Sequence, residues 1–394
     1  MKVPRSVSLV LATLLGVTTG LLVTPAGAAN DPYEINAVVS LTGGAAFLGK
    51  EEQQALLAVE KVQNARGGIH GRKIRFSIVD DQSSPQIAVQ LTNAIIAKNV
   101  PVILGSSVVA DCAAMAAAVK EHGPVHYCFS PGLHPERNSY SFSSSVSTKD
   151  LALVLLRYFH KRGWNRIALI TSTDATGQDG ERNFDAAFAA PENRGTKLIL
   201  SEHFTPSDVS VTAQLQRIKS ANPQALITWT TGTPFGTVLR GITEAGLTVP
   251  VAGGTGNLIY AQIKQYDSFV PKELYFPGVE YFRDTKEFSG PLKTAIDTFR
   301  GSLAPTKADA GQGYGYDPAT IIVDALRKLG TGASASQLRD YLQHLHGYIG
   351  AEGLYDFRDG DNRGLGPHNA VIVRYDQARA QFDAVSKPGG DPLH

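Results

Sequence analysis

The run Ile35-Asn36-Ala37-Val38-Val39-Ser40, rich in β-branched and small apolar residues, reads as a strand, and the helix and second strand downstream of it set the fold class. A helix is expected from about Lys50 to Asn64, where Ala55, Val59 and Val62 recur at helical spacing and form a stripe for burial. Gly67-Gly68-Ile69-His70-Gly71 ends that helix, because glycine takes positive φ without steric cost, and Lys73–Val79 reads as the next strand. Outward from this unit come a helix near Pro85–Lys98, the strand Pro101–Leu104, a helix near Asp111–Glu121 and the strand Val125–Phe129. Such alternation implies right-handed crossovers and a parallel sheet covered on both faces.

The Ser-rich, extended stretch Ser141–Ser147 interrupts the pattern and reads as a crossover between lobes. Alternation then resumes with helix Asp150–His160, strand Arg166–Thr171, helix Gly180–Ala189, strand Lys197–Glu202, helix Val209–Ser220 and strand Ala225–Thr230. Helix Phe235–Ala245, strand Val249–Ala252, a short helix after Gly256 and strand Leu274–Val279 complete this series. Three late helices are expected near Thr285–Gly301, Asp317–Leu329 and Ser336–His346, then a hairpin of Ala370–Tyr375 and Phe382–Val385. The fold class is α/β, with two doubly wound parallel-sheet lobes. Ligands of such sheets bind beyond the carboxyl ends of the strands, so the lobes would face each other across a cleft.

Composition agrees. The 394 residues, 43% hydrophobic and 19% charged, suit two domains and argue against disorder. Lys+Arg 37 against Asp+Glu 36 leaves no electrostatic footprint for nucleic acid or an anionic membrane surface. Lys2 and Arg5 precede an apolar run from Val7 to Val23 and then Pro25-Ala26-Gly27-Ala28-Ala29-Asn30, the pattern of a secretory signal peptide (residues 1–28) cut after Ala28. Its removal leaves 35 basic against 36 acidic residues, net −1. The residue directly after the cut is Ala29, not cysteine, so no lipid tether is expected there, and the mature chain is expected to be exported and soluble.

No catalytic constellation emerges. Gly44-Ala45-Ala46-Phe47-Leu48-Gly49-Lys50-Glu51 approaches a phosphate-binding loop, but Glu51 stands where Ser or Thr must hold Mg²⁺. What remains is a glycine turn delivering a helix N-terminus to a cleft, which suits an anion. Gly330-Thr331-Gly332-Ala333-Ser334-Ala335 ends a helix instead of coming after a strand, so it is no dinucleotide fingerprint. The histidine pairs His122/His126 and His344/His346 lack further ligands at metal-type spacing, so neither metal nor cofactor is expected. Cys112 begins a helix and Cys128 ends the neighbouring strand. In an oxidising compartment they form either a disulfide or two buried thiols.

Three early segments closely resemble the branched-chain amino-acid-binding (Leu/Ile/Val) family of periplasmic solute-binding proteins: Val38-Val39-Ser40-Leu41-Thr42-Gly43 with Leu48-Gly49, Arg66–Ile74, and Asp80-Asp81-Gln82-Ser83-Ser84-Pro85. Ile103–Ser107, Ser130-Pro131-Gly132, the Gly177-Gln178 turn, Val251–Gly256 and Tyr316-Asp317-Pro318-Ala319 continue the resemblance in the family's order over nearly the whole mature chain. It implies a type I binding fold with three crossovers, delivering a small solute to the membrane subunits of an ATP-driven (ABC) importer, without turnover. Lobe 1 would comprise residues 29–146 and 283–348, and lobe 2 residues 147–282 and 349–394. A ligand-sensing module for a receptor, or a periplasmic enzyme, are the other classes this fold leaves open.

Departures from the family bear on the ligand. In the amino-acid binders, an acid in a second-lobe turn takes the ligand's ammonium group; here the turn reads Gly253-Gly254-Thr255-Gly256, with neutral Thr255. Thr176 replaces a tyrosine, Val108-Val109-Ala110 replaces a serine cluster, and Leu133 or His134 replaces a threonine. A buried ammonium without a counter-ion costs several kcal/mol. The resemblance with these departures therefore points to an aromatic or other hydrophobic acid lacking an amine, with a branched-chain or other amino acid as the alternative. Its carboxylate would meet backbone N–H groups at Ser106–Ser107 and Gly132–His134, near Val108, Ser130 and Pro131, with the His134 side chain as a further donor. Phe47, Trp229 and Tyr281 would form aromatic walls, and Thr173, Thr230 and Thr255 would bond a distal hydroxyl.

Overall fold

The computed structural model describes Met1 and residues 31–393, so the expected leader and its cut after Ala28 lie outside the described residues. The first sheet is carried by β1 (Tyr33–Val39), α1 (Ala46–Ala65), β2 (Ile74–Asp80), α2 (Pro85–Ile96), β3 (Val102–Gly105), α3 (Val109–Val119), β4 (Val125–Cys128) and β5 (Ser141–Ser143). Its five strands are parallel, in the order β2-β1-β3-β4-β5. β1 is apolar on both faces because both are covered. Ile35, Ala37 and Val39 pack with Leu56 and Val59 of α1, while Val38 joins Ala88, Ile103 and Met115 on the opposite side. Each such fully buried aliphatic side chain stabilises by about 1.5–3 kcal/mol.

The second lobe continues with α4 (Thr148–Lys161), β6 (Arg166–Ser172), α5 (Ala175–Ala189), β7 (Lys197–Phe204), α6 (Thr212–Ser220), β8 (Ala225–Trp229), α7 (Thr233–Ala245), β9 (Val251–Gly253), α8 (Tyr260–Gln265) and β10 (Leu274–Val279). The chain then forms α9 (Gly290–Leu303), α10 (Ala310–Leu329), α11 (Ala335–Gln343), β11 (His346–Ile349), β12 (Leu354–Asp356), β13 (Ala370–Asp376) and β14 (Gln381–Ala384). The second sheet runs β14-β13-β10-β9-β8-β6-β7, parallel from β10 to β7 and antiparallel where the terminal hairpin joins β10. α10 returns to pack along α1 of the first lobe.

Several elements differ from the sequence expectation. Ser141–Ser143 pairs with β4 as an edge strand, so only Ser144–Ser147 links it to α4. The helix expected from Asp317 begins at Ala310. Asp309 and Gln312 form a capping box there, while Asp317, buried mid-helix, accepts from the N–H groups of Ala351 and Glu352 and from Tyr355 Oη. The helix expected from Thr285 is a single turn at Thr285–Glu287, succeeded by α9 from Gly290. The small β11–β12 hairpin, with its irregular register, carries no alternation that the sequence reading detected.

The passage between lobes is fastened by Arg363, which is fully buried. Its Nη1 donates to the carbonyls of Ser144 (2.9 Å) and Ser145 (3.1 Å), and its Nη2 to those of Pro131 (3.2 Å) and Leu133. One side chain thus ties a crossover to the loop after β4. Four charge-assisted bonds offset the desolvation of the guanidinium.

Candidate functional site

The strands of both sheets end toward a common cleft, and the helices that succeed them begin there. Gly44, Ala45 and Leu48 at the start of α1, Val108 and Val109 at the start of α3, Asp174 and Thr176 at the start of α5, and Thr233 and Pro234 at the start of α7 all line one cavity of about 390 Å³. Each helix start brings the positive end of its dipole and N–H groups without intrahelical partners to the cavity, and at α5 the Asp174 carboxylate takes up one of them. This agrees with the glycine turn at Gly44 expected to deliver a helix N-terminus.

The lobes meet around the cavity through side-chain and backbone bonds. Thr233 N–H donates to Gly44 O (3.2 Å), and Tyr314 Oη on α10 donates to Thr255 Oγ1 (3.0 Å). His134 Nε2, from the loop after β4, lies 2.8 Å from Asp179 Oδ1 on α5. Gly232 has φ +81° and a side chain there would run into Gly44 O at 2.2 Å, so the residue's smallness permits this approach. Gly180 lets α5 close on Trp229, since a Cβ would lie 2.1 Å from the indole Cδ1. Trp229 is thereby held edge-on to Phe184 with one face available to the cleft.

Of the residues singled out from sequence, Ser107, Val108, Ser130, Pro131, Gly132, Thr176, Trp229 and Thr255 line the cavity. Ser106 is buried just behind it, its hydroxyl unpartnered and its carbonyl bonded by Phe129 N–H. Thr230 is also buried behind the wall, and Thr173 is exposed with its N–H bonded to Phe204 O. Tyr281 does not form a wall: it is buried against Phe282 and Phe299, and its hydroxyl donates to Asp309 O (2.9 Å). Phe47 turns away from the cavity and packs on the core, because on α1 it sits beside Leu48, which takes the inward direction. His134 lies at the rim on Asp179. Cys112 and Cys128 are joined as a disulfide with Cα atoms 5.7 Å apart, bracing the start of α3 against the end of β4.

Sequence reading missed two acids. Asp174 and Asp179 are the only charged side chains in the cavity wall among the described residues. Asp174 caps α5, accepting from Gly177 N–H (3.0 Å) and Ser172 Oγ (2.7 Å). Asp179 is buried. Its Oδ1 takes His134 and Asn183, and its Oδ2 has no partner and lies against Gly132. The carboxyl-end rule, applied to β6, would have pointed to both. Tyr314 was missed because α10 was expected to begin later.

A second polar cluster lies behind the lobe 1 wall. Glu52 on α1, Asp81 after β2 and Asp111 on α3 are all fully buried. Asp81 Oδ1 accepts from Ser40 Oγ (2.6 Å) and Ser83 N–H (2.9 Å), whereas both oxygens of Glu52 and of Asp111 lack partners. Burial lifts the Asp111 carboxyl to about 8, with the Asp81 charge adding to it. Burial likewise pushes the imidazole of His126 down to about 4, and its Nε2 contacts Gly105 O. No group of three or more His, Cys, Asp or Glu side chains among the described residues is arranged to hold a metal ion, and no described helix is long and apolar enough to cross a membrane.

Two doubly wound lobes closing on a cavity at their strand ends define a type I binding-protein architecture, a class that holds a small solute between its halves. The chain belongs to the periplasmic binding protein family, which matches residues 32–380. This is a solute-binding family, not an enzyme family. The chain is 24% identical over 238 residues to a Leu/Ile/Val-binding protein homolog of Brucella melitensis, a match covering 59% of this chain and 63% of that protein. A type 1 periplasmic binding protein of Bordetella pertussis superposes with TM-score 0.77 at 20% identity, covering 92% of this chain and all of the other. The branched-chain amino acid transporter substrate-binding protein LivJ of Streptococcus pneumoniae, solved with isoleucine, gives 0.72 at 18% identity, covering 90% and 99%.

Proposed function

We propose that the chain is the extracytoplasmic solute-binding subunit of an ABC importer and that its solute is an amino acid with a hydrophobic side chain. The observation that carries this reading is the division of charge in the cleft. Lobe 1 offers helix starts and hydroxyls suited to a carboxylate, and lobe 2 offers Asp174 and Asp179 as anionic partners for an ammonium group. Leu48, Val108, Val109 and Trp229 supply apolar surface for the side chain. The relatives named for leucine, isoleucine and valine support the same class. Closure around the solute would shift a hinge equilibrium, and the importer's membrane subunits would read the closed surface. The lobe limits at residues 146, 282 and 348 belong to the same proposal.

A second reading, a hydrophobic or aromatic acid without an amine, is favoured by neutral Thr255, whose hydroxyl already accepts from Tyr314, and by the engagement of Asp179 with His134. The two readings separate in a calorimetric panel pairing L-leucine with 4-methylpentanoate and L-phenylalanine with 3-phenylpropanoate. The amino-acid reading expects each amino acid to bind at least tenfold more tightly than its amine-free counterpart. Equal or tighter binding of the amine-free acids selects the second reading, and a panel with no binder at all removes both.

A further inference from the structure

Glu52 occupies an unusual place: both carboxyl oxygens are buried without hydrogen-bond partners, directly behind the cleft wall. In front of it stand two wall residues, Ser107, whose hydroxyl is also unpartnered, and Tyr314, whose hydroxyl reaches across to Thr255. α10 closes over it at Gly315, where a Cβ would come within 3.3 Å of Glu52 O. Nothing in the packing of α1 requires an acid at this position, since its neighbours Ala55, Leu56 and Val59 are apolar.

We propose that Glu52 is a positioning residue for the cleft: it sets the direction of the Ser107 hydroxyl and, through it, the affinity of the lobe 1 wall for a carboxylate. This rests on the reading that lobe 1 takes the carboxylate end of the solute. A neutral carboxyl has one O–H to donate. Given to Ser107 Oγ, it leaves the serine's own hydrogen to turn outward and donate to a bound anion. An ionised carboxylate can only accept, so the serine hydrogen turns inward and a negative charge stands behind the anion's seat. Burial raises the Glu52 carboxyl to about 8, opposed by the Ser107 hydroxyl and reinforced by the Asp81 charge. The groups facing it are Ser107 after β3, Asp81 after β2 and Tyr314 on α10; Asp111 on α3, also near 8, faces Asp81.

The test titrates L-leucine and 3-phenylpropanoate, both carboxylates, into wild type, Glu52→Gln, Ser107→Ala and Asp111→Asn between pH 6.5 and 9. Wild type is expected to lose about tenfold more affinity over that range than Glu52→Gln, which keeps a donor but cannot ionise. Ser107→Ala is expected to bind more weakly with a flat profile, and Asp111→Asn to keep the wild-type slope. Parallel profiles for wild type and Glu52→Gln overturn the proposal. Infrared difference spectra of the ligand-free protein supply a readout independent of binding. Wild type minus Glu52→Gln should show a protonated-carboxyl band that vanishes with a midpoint near 8 and shifts in frequency in Ser107→Ala. A missing band at pH 6.5, or one indifferent to Ser107→Ala, overturns the proposal whether or not either probe binds. If the band is present and coupled to Ser107 but neither probe binds, the Glu52–Ser107 link stands and the carboxylate reading of the cleft falls.

Discussion

The two walls of the cleft are assembled from the same parts, strand ends feeding helix starts, yet they differ in where their carboxylates stand. On lobe 2, Asp174 and Asp179 belong to the cavity wall itself, Asp179 buried beside Gly132 and His134. On lobe 1, Glu52, Asp81 and Asp111 are sealed behind Ser106 and Ser107 and leave the surface to hydroxyls and N–H groups. Asp174 accepts from Gly177 N–H and Ser172 Oγ, and Asp179 accepts from Asn183 and keeps one oxygen unpartnered in the wall. Behind the lobe 1 wall, burial raises the carboxyls of Glu52 and Asp111 to about 8, so each keeps its proton at neutral pH and can serve as a donor. Acidic side chains thus do different work in the two walls, and the comparison predicts different responses to substitution.

The largest expected effect breaks the tie between the crossover and the loop after β4. Arg363→Met strands the carbonyls of Ser144, Ser145, Pro131 and Leu133, and should lower unfolding free energy by about 4 kcal/mol in urea titrations. Replacing both Cys112 and Cys128 by alanine removes a bridge of sequence separation 16, and should cost about 3 kcal/mol by the same measurement. Next comes the pH dependence of lobe 1. The Glu52 pKa is raised on folding, so the folded state holds the proton longer than the unfolded chain, and stability falls as pH rises from the ordinary glutamate range to about 8. That single group should contribute a slope of about 1.4 kcal/mol per pH unit between pH 5 and 8, absent in Glu52→Gln melts.

Lobe 2 is expected to respond in affinity instead. Asp174→Asn and Asp179→Asn should each weaken L-leucine binding by about tenfold while leaving 4-methylpentanoate unaffected or tighter. Equal losses for both probes would mean that the acids shape the wall without meeting an ammonium group. The smallest effect belongs to Thr255→Val, which removes the acceptor of the interlobe bond from Tyr314. About 1 kcal/mol of closure should be lost, read as a severalfold faster dissociation of bound solute.

Much of this architecture is legible in the chain. The apolar run at Ile35–Val39, the stripe containing Ala55 and Val59, and the glycine turn at Gly67–Gly71 specify a covered parallel sheet, because side-chain period and positive φ are local properties. The order of motifs carried the binding-protein family, and the resemblance put Ser107, Ser130 and Trp229 among the expected site residues, all three of which line the cavity. What position along the chain does not encode is which side of a wall a residue occupies. Tyr281 and Trp229 read alike as aromatics at strand ends, yet Tyr281 is sealed against Gly313 with its hydroxyl on Asp309 O, whereas Trp229 packs on Gly180 and lines the cavity. Neutral Thr255 predicts a lobe 2 without an acid, whereas the packing of α5 against the loop after β4 brings Asp179 into the wall. Local sequence determines elements through short-range sterics and periodicity. What a solute would meet is decided by how helix starts from two lobes converge, and by which carboxylates that convergence brings into the cavity wall.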